Sequence, residues 1–156
     1  MAKKQGVGEN GGNSSTILNM LRQDHKDVKT IFEKFEKTEN SRDREKYIGA
    51  AIAALEVHAA LEEKLIYPAF RPQIGEEDLM DEALEEHHVM HVLIKELKGK
   101  AGERGRRHAK FVVLAENVRH HIKEEEQEMF PHMKNADLDW AGLTQKTLNT
   151  RAQLEK

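Results

Sequence analysis

Seven residues of two chemical types sit where a helical core stripe should be apolar: His25, His58, Glu62, His87, His91, His121 and Glu125. Residues three or four apart share one face of a helix. His58 follows Leu55 by three, Glu62 follows His58 by four, and Leu65 comes three later. An imidazole and a carboxylate, one turn apart, therefore point the same way as the leucines. Val118, His121, Glu125 and Met129 line one face in the same manner. His25 interrupts a stripe between Leu21 and Val28, and His87 and His91 interrupt another that resumes at Ile94.

Burying an unpaired carboxylate is costly, because its hydration is lost in a medium that screens poorly. The stripes offer no Lys or Arg to offset Glu62 and Glu125. They offer five His, which as neutral imidazoles are metal ligands rather than counter-ions. Metal ions would neutralise the carboxylates and use the imidazole lone pairs. His58 through Pro68 aligns with His121 through Pro131 at a constant offset of 63 residues, and Asp24-His25 is related to Glu86-His87 by 62. Such a repeat brings two similar helical hairpins together about a pseudo-twofold axis, which suits a site for two ions. If both Glu bridge a pair of six-coordinate ions, the five His and a bridging oxide or hydroxide leave one position open. Two iron(II) ions there could pass two electrons to O2. Zinc prefers four ligands and supplies no electrons; manganese is the alternative metal. Ferritin-like centres differ, being Glu-rich with Glu-x-x-His in the opposite order.

A lone His on an apolar stripe is more often a hydrogen-bonded core residue than a ligand. His25 in isolation would be read that way; five His with two core-facing Glu in a repeat reverse the balance. His88 and His120 lie about 100° off the stripe and read as solvated or as partners of ligands, and His108 and His132 as surface residues. Glu63, Glu124 and Glu126 read as solvated helix-face charges. The run Lys98, Lys100, Arg104, Arg106, Arg107 and Lys110 reads as a solvated loop rather than an anion site.

The elements that must position these residues follow from periodicity and caps. Residues 1–13, polar and Gly-rich, read as a disordered tail. Ser14 or Ser15 can cap a first helix over about 15–38, with Leu18, Leu21, Val28, Ile31, Phe32 and Phe35 as its stripe. Ser41 can cap a second over about 42–69 that ends near Pro68, with Arg71–Gly75 as a turn. A third spans about 77–98 and stops at Gly99, and a fourth spans about 106–132. Asp137 or Asp139 can cap a short fifth helix over about 138–155. No segment alternates as a strand does. The expected fold is all-α: an up-down-up-down four-helix bundle over 14–135 with a C-terminal helix over 136–156.

Composition removes several functions. The chain has no Cys, which excludes disulfides, thiolate catalysis and iron–sulfur clusters. A net charge of −3 argues against nucleic acid as the main partner. No apolar run reaches the roughly 20 residues of a membrane span, and the polar N-terminus lacks the apolar core of a signal peptide, so the expected compartment is the cytoplasm. Charged residues are 34% of the chain and mean hydropathy is −0.76, as for a heavily solvated surface.

Asp24-His25, the H-x-x-x-E of His58 and Glu62, the H-x-x-x-H of His87 and His91, the H-x-x-x-E of His121 and Glu125, and the endings Tyr67-Pro68 and Phe130-Pro131 together resemble the hemerythrin-like, histidine–histidine–glutamate cation-binding family over roughly residues 15–133. The resemblance implies a non-haem di-iron centre that reacts with O2, peroxide or nitric oxide. It implies His25 and His58 on one iron, His87, His91 and His121 on the other, and Glu62 and Glu125 bridging. Oxygen-carrying members place Asp five residues after the last His, whereas here Glu stands at four and Glu126 at five; Glu126 is the alternative ligand. Three functions remain in view: binding or sensing O2 or nitric oxide with iron buffering, decomposition of hydrogen peroxide at the same centre, and a metal-stabilised bundle that meets a protein partner. The sequence shows no clear acid beside the site for the second of these.

Overall fold

The computed structural model describes residues 14–75, 77–99 and 106–156. The expected tail over 1–13 and the basic residues Lys100 and Arg104 lie outside them. All regular elements among the described residues are helical: α1 (Ser15–Lys37), α2 (Ser41–Leu61), α3 (Tyr67–Ile74), α4 (Glu77–Leu97), α5 (Arg107–Glu124), α6 (Phe130–Lys134) and α7 (Trp140–Leu154). A π turn, Glu62–Ile66, joins α2 to α3 without a break, and another, Glu125–Met129, joins α5 to α6.

A polar layer divides the core in two, and the order in which each helix meets the halves gives the topology. One apolar cluster holds Val28, Phe32, Leu55, Met90, Ile94, Phe111 and Leu114; the other holds Leu18, Leu21, Leu61, Phe70, Met80, Met129 and Trp140. Along α1 the chain passes from the second cluster through His25 to the first, and α2 returns through His58 and Glu62. Helix α4 repeats the first direction through His87, and α5 the second through His121 and Glu125. This is the expected up-down-up-down bundle. Its apolar ends carry the stability, since truncating a buried aromatic such as Phe32 costs about 3–5 kcal/mol.

The caps differ from expectation at two of three helices. Asn40, not Ser41, caps α2, its side chain accepting from the Asp43 N–H at 3.0 Å. Ser14 stands at the cap position of α1, but its hydroxyl donates to the Lys134 carbonyl at 3.2 Å and ties the helix start to the end of α6. Asp139 caps α7 as expected, accepting from the Gly142 N–H at 3.0 Å.

The second helix also does not end at Pro68. The chain stays helical through Ile74, and the turn expected over Arg71–Gly75 is confined to Gly75, whose φ of +65° suits a residue without Cβ. Proline offers no N–H and its ring crowds the carbonyl four residues back. Widening the preceding turn relieves that crowding: the Tyr67 N–H reaches the Glu62 carbonyl, and the Phe130 N–H reaches that of Glu125. The same Pro therefore sets a π turn at the same place in both halves of the repeat, and Tyr67, Phe70 and Ile74 anchor α3 in the core.

Helix α7 packs along α2 and the first π turn. Trp140, Leu143, Thr144 and Thr147 are buried there. Three members of the basic run meet acidic side chains: Lys98 pairs with Glu56, Arg107 with Glu45 and Lys110 with Glu96, each at 2.8 Å.

Candidate metal centre

Each π turn opens on a core glutamate, and that places Glu62 and Glu125 opposite one another in the polar layer. Both are fully buried, at 0% and 1% exposure. Each carboxylate spans two histidines. Glu62 sets Oε2 3.2 Å from His58 Nε2 and Oε1 3.0 Å from His87 Nε2. Glu125 sets Oε1 3.0 Å from His25 Nε2 and Oε2 3.6 Å from His121 Nε2. The layer thus resolves into two donor sets that share the glutamates: His25 with His58, and His87 with His121. Donor atoms of His25, His58, Glu62 and Glu125 lie within 4.8 Å of one another, as do those of Glu62, His87 and His121.

The outward ring nitrogens are held by a second tier of carboxylates that closes a circuit around the bundle. Asp24 of α1 meets His58 Nδ1 at 2.8 Å, Glu63 of the first π turn meets His87 Nδ1 at 2.6 Å, Glu86 of α4 meets His121 Nδ1 at 2.6 Å, and Glu126 of the second π turn meets His25 Nδ1 at 2.6 Å. In each case the carboxylate comes from the neighbouring helix, and it adjoins in sequence a residue of the inner layer. Such partners fix which nitrogen faces inward and raise its basicity. Glu63 and Glu126 are therefore not solvated charges, as the sequence alone implied. Glu126, the alternative ligand, faces the outer nitrogen of His25 while Glu125 faces inward.

His91 stands apart from the other six. It is 44% exposed at the side chain, and its Nε2 meets Glu63 Oε2 at 2.7 Å, on the oxygen that also holds His87. Tyr67, in turn, enters the sequence pattern only through its Tyr-Pro ending, with no site role. Its buried hydroxyl lies 3.1 Å from Glu62 Oε1, 3.5 Å from His87 Nε2 and 3.4 Å from His121 Nε2, and it donates to Glu125 Oε2. Its position at the exit of the first π turn aims it at the His87/His121 set. His88 and His132 are exposed, His120 sits between Glu86 and Glu124, and His108 faces Glu45.

The charges within the layer are mutually arranged. Burial pulls the His58 imidazole down, but Glu62, Asp24 and Glu125 overcome it and raise its pKa to about 10. Burial likewise opposes charge on His121 and His87, yet Glu125 and Glu86 raise the first well above the ordinary range, and Glu62 and Glu63 raise the second. Burial pushes Glu125 up, and His121 and His25 bring it well below the usual carboxylate range; Glu62 is lowered by His58 and His87 against burial and Glu125. Without metal, then, protons on His58, His87 and His121 would compensate the carboxylates, a role beyond that of neutral ligands.

A cation fits this layer better than protons do. His25 Nε2, His58 Nε2, Glu62 Oε2 and Glu125 Oε1 are buried and make no hydrogen bond, although their mutual distances are short. Buried polar atoms without partners are rare and costly. Here the four atoms lie within 4.8 Å of one another without pairing, as ligand atoms do around an ion. A cavity of about 620 Å³ is lined by His25, His58, His87 and His121 together with apolar residues such as Val28, Leu55 and Met90 and charged ones such as Asp24, Glu86 and Arg151.

These features define a helical-bundle protein whose buried His/Glu clusters can hold metal cations. The chain matches the hemerythrin HHE cation-binding domain over residues 16–133, and it belongs to that family. Its fold is similar to the crystal structure of a hemerythrin HHE cation-binding domain-containing protein from Mycobacterium kansasii, with a TM-score of 0.70 over 87% of this chain and 85% of that one at 21% identity. It is 27% identical over 119 residues to a DNA nickase of Nostoc sp. (strain PCC 7120 / SAG 25.82 / UTEX 2576), covering 76% of this chain and 34% of that protein. This chain thus spans about a third of that relative's length. No described helix is long and apolar enough to cross a membrane.

Proposed function

We propose that this chain is a non-haem di-iron protein that binds or senses a small neutral ligand, O2 or nitric oxide, and buffers iron. The observation that carries the reading is the spanning of two histidine pairs by both buried glutamates: each carboxylate offers one oxygen to each pair. Glu62 and Glu125 would bridge, His25 and His58 would hold one ion, and His87 and His121 the other. Tyr67, near His87 and His121, would stand beside the second ion, and His91 lies outside that set. Carboxylate and imidazole donors together suit iron or manganese better than a soft, thiolate-seeking metal. An iron pair supplies the electrons for chemistry on O2 or peroxide.

The protein's own part is positional. The outer carboxylates Asp24, Glu63, Glu86 and Glu126 fix the imidazole tautomers, and the cavity lined by His25, His58, His87 and His121 gives a small ligand a way to the layer.

Decomposition of hydrogen peroxide is the second reading, and Tyr67 favours it. Its O–H places a proton donor inside the layer, where the sequence showed no acid. Burial, with Glu125 and Glu62 beside it, raises this phenol well above its ordinary range, so the proton stays on it until the layer changes charge. The DNA-nicking activity belongs to the longer relative.

Metal analysis with an optical spectrum, taken before and after O2, peroxide or nitric oxide, tests the proposal. Two irons per chain with a spectrum that changes reversibly on exposure to O2 or nitric oxide is the expected result. Fewer than two metals after reconstitution with excess ferrous iron would overturn it. In stopped-flow mixing, many turnovers of peroxide would favour the enzyme over the carrier.

A further inference from the structure

Helix α7 lies outside residues 16–133, the part that matches the family, yet one of its side chains reaches the support of the metal layer. The Arg151 guanidinium donates through Nη2 to Asp24 Oδ2 at 2.5 Å. That same oxygen lies 2.8 Å from His58 Nδ1. We propose that Arg151 is a positioning residue which, by sharing the Asp24 oxygen with His58, sets the His25/His58 half of the centre apart from the other half.

Three observations support it. First, the sharing is particular to this corner: Glu63 divides itself between His87 and His91, and Glu86 between His121 and His120, so among the described residues only the carboxylate behind His58 is bonded by a guanidinium. Second, the contact is only 16% and 20% exposed at its two side chains, where water screens charge less than at an open surface. Third, α7 is fixed rather than loosely appended. Trp140 and Thr147 are buried against the bundle, the Trp140 indole donates to the Ala136 carbonyl at 3.1 Å, and Glu155 holds the other Arg151 terminal nitrogen at 3.3 Å.

The electronic consequence has a definite sign. A carboxylate behind a ligand imidazole draws on its N–H and strengthens the ring as a donor. A guanidinium on the same oxygen competes for that lone pair and brings a positive charge towards the ion. Both effects disfavour the more highly charged metal. The His25/His58 position therefore keeps the reduced state more readily than the His87/His121 position, whose outer carboxylates carry no such partner.

This inference rests on the two-metal reading above, so iron content comes first. The test is a spectroelectrochemical titration of iron-loaded protein, comparing wild type, Arg151→Gln, Arg151→Lys and, as a control at an exposed position on the same turn, Gln153→Ala. Arg151→Gln keeps the side-chain stem packed and removes the charge. A fall in midpoint potential in Arg151→Gln, partly restored in Arg151→Lys and absent in Gln153→Ala, is expected. Two irons in every variant with an unchanged potential in Arg151→Gln overturns the proposal, and so does a lower melting temperature alone, which would make Arg151 a mere fastening of α7. Wild-type protein that takes up no iron would instead remove the two-metal reading itself.

Discussion

Tyr67 donates its phenolic hydrogen to Glu125 across the bundle, 58 residues away in sequence, while standing 3.1 Å from Glu62. One hydroxyl thus touches both glutamates of the polar layer. It arrives there because the π turn that precedes Pro68 carries Tyr67 inward at the moment the helix changes pitch. The corresponding position in the other half of the repeat is Phe130, which stacks on His25 at 5.9 Å between ring centroids. The two halves of the centre are therefore unequal: one ends on an apolar ring, the other on a donor.

Tyr67→Phe keeps the ring and removes the donor. Carboxylate oxygens that lose a partner inside the bundle pay the desolvation cost of that group, about 1–3 kcal/mol. The metal-free protein should lose stability by that amount in urea unfolding after chelation. A variant as stable as wild type would show that the hydroxyl satisfies nothing in the layer.

The buried glutamates should matter most for metal content. Glu62→Ala or Glu125→Ala takes away the carboxylate that both histidine pairs share and leaves the cations under-compensated. Each variant should retain at most one ion per chain, measured by elemental analysis after equilibrium dialysis. Two ions per chain in both variants would contradict the bridging assignment. His88→Ala and His108→Ala should keep wild-type content, since both residues lie away from the layer.

The inner layer was legible in sequence because it breaks a rule: His25, His58, Glu62, His87, His121 and Glu125 are polar at stripe positions, and a stripe position tells which way a side chain points. The outer carboxylates were hidden for the complementary reason. Asp24, Glu63, Glu86 and Glu126 lie about one residue's rotation, roughly 100°, away from the stripe, where charged residues are ordinarily solvated. What they bond belongs to the neighbouring helix, and single-helix periodicity carries no information about that. A signal did exist: Asp24-His25 recurs as Glu86-His87, and Glu62-Glu63 as Glu125-Glu126, so the repeat spans both tiers. The π turns were illegible because amphipathic patterning assumes one pitch throughout, and Pro68 was read as a stop instead of as the cause of a wider turn.

His91 distinguishes the sequence pattern from the folded site. The H-x-x-x-H spacing predicts a ligand there, whereas the fold leaves His91 half-exposed against Glu63. His91→Ala should therefore keep two ions with a modest loss of affinity through the freed Glu63, while His87→Ala and His121→Ala should each lose the second ion. Competition titration with a chromophoric chelator measures all three. Equal loss in His91→Ala and His87→Ala would mean that His91 swings inward when metal binds.

The shifted groups of the layer make both stability and metal binding depend on pH, with a sign fixed by each shift. His58 ionises at about 10 in the folded chain against an ordinary 6.5, burial being outweighed by Glu62 and Asp24. A raised folded value means that the stabilisation is complete below the unfolded value and disappears as pH climbs through the folded one. Glu63 behaves oppositely: burial opposes its charge, but His87 and His91 lower it from 4.5 to about 2, so its contribution is complete above 4.5 and lost as pH falls towards 2. Chelated protein should consequently be most stable between these regions, and its melting temperature should fall steadily from about pH 6.5 towards pH 10. Metal reverses the alkaline limb, since an ion bound through His58 Nε2 needs the ring without that proton. Uptake should release protons and tighten as pH rises, and the loaded protein should keep its melting temperature across the same interval. Thermal melts with and without chelator at about pH 6, 8 and 10 check the sign directly. Chelated protein with a flat profile over that range would mean that the imidazoles are neutral already and that something other than protons compensates Glu62 and Glu125.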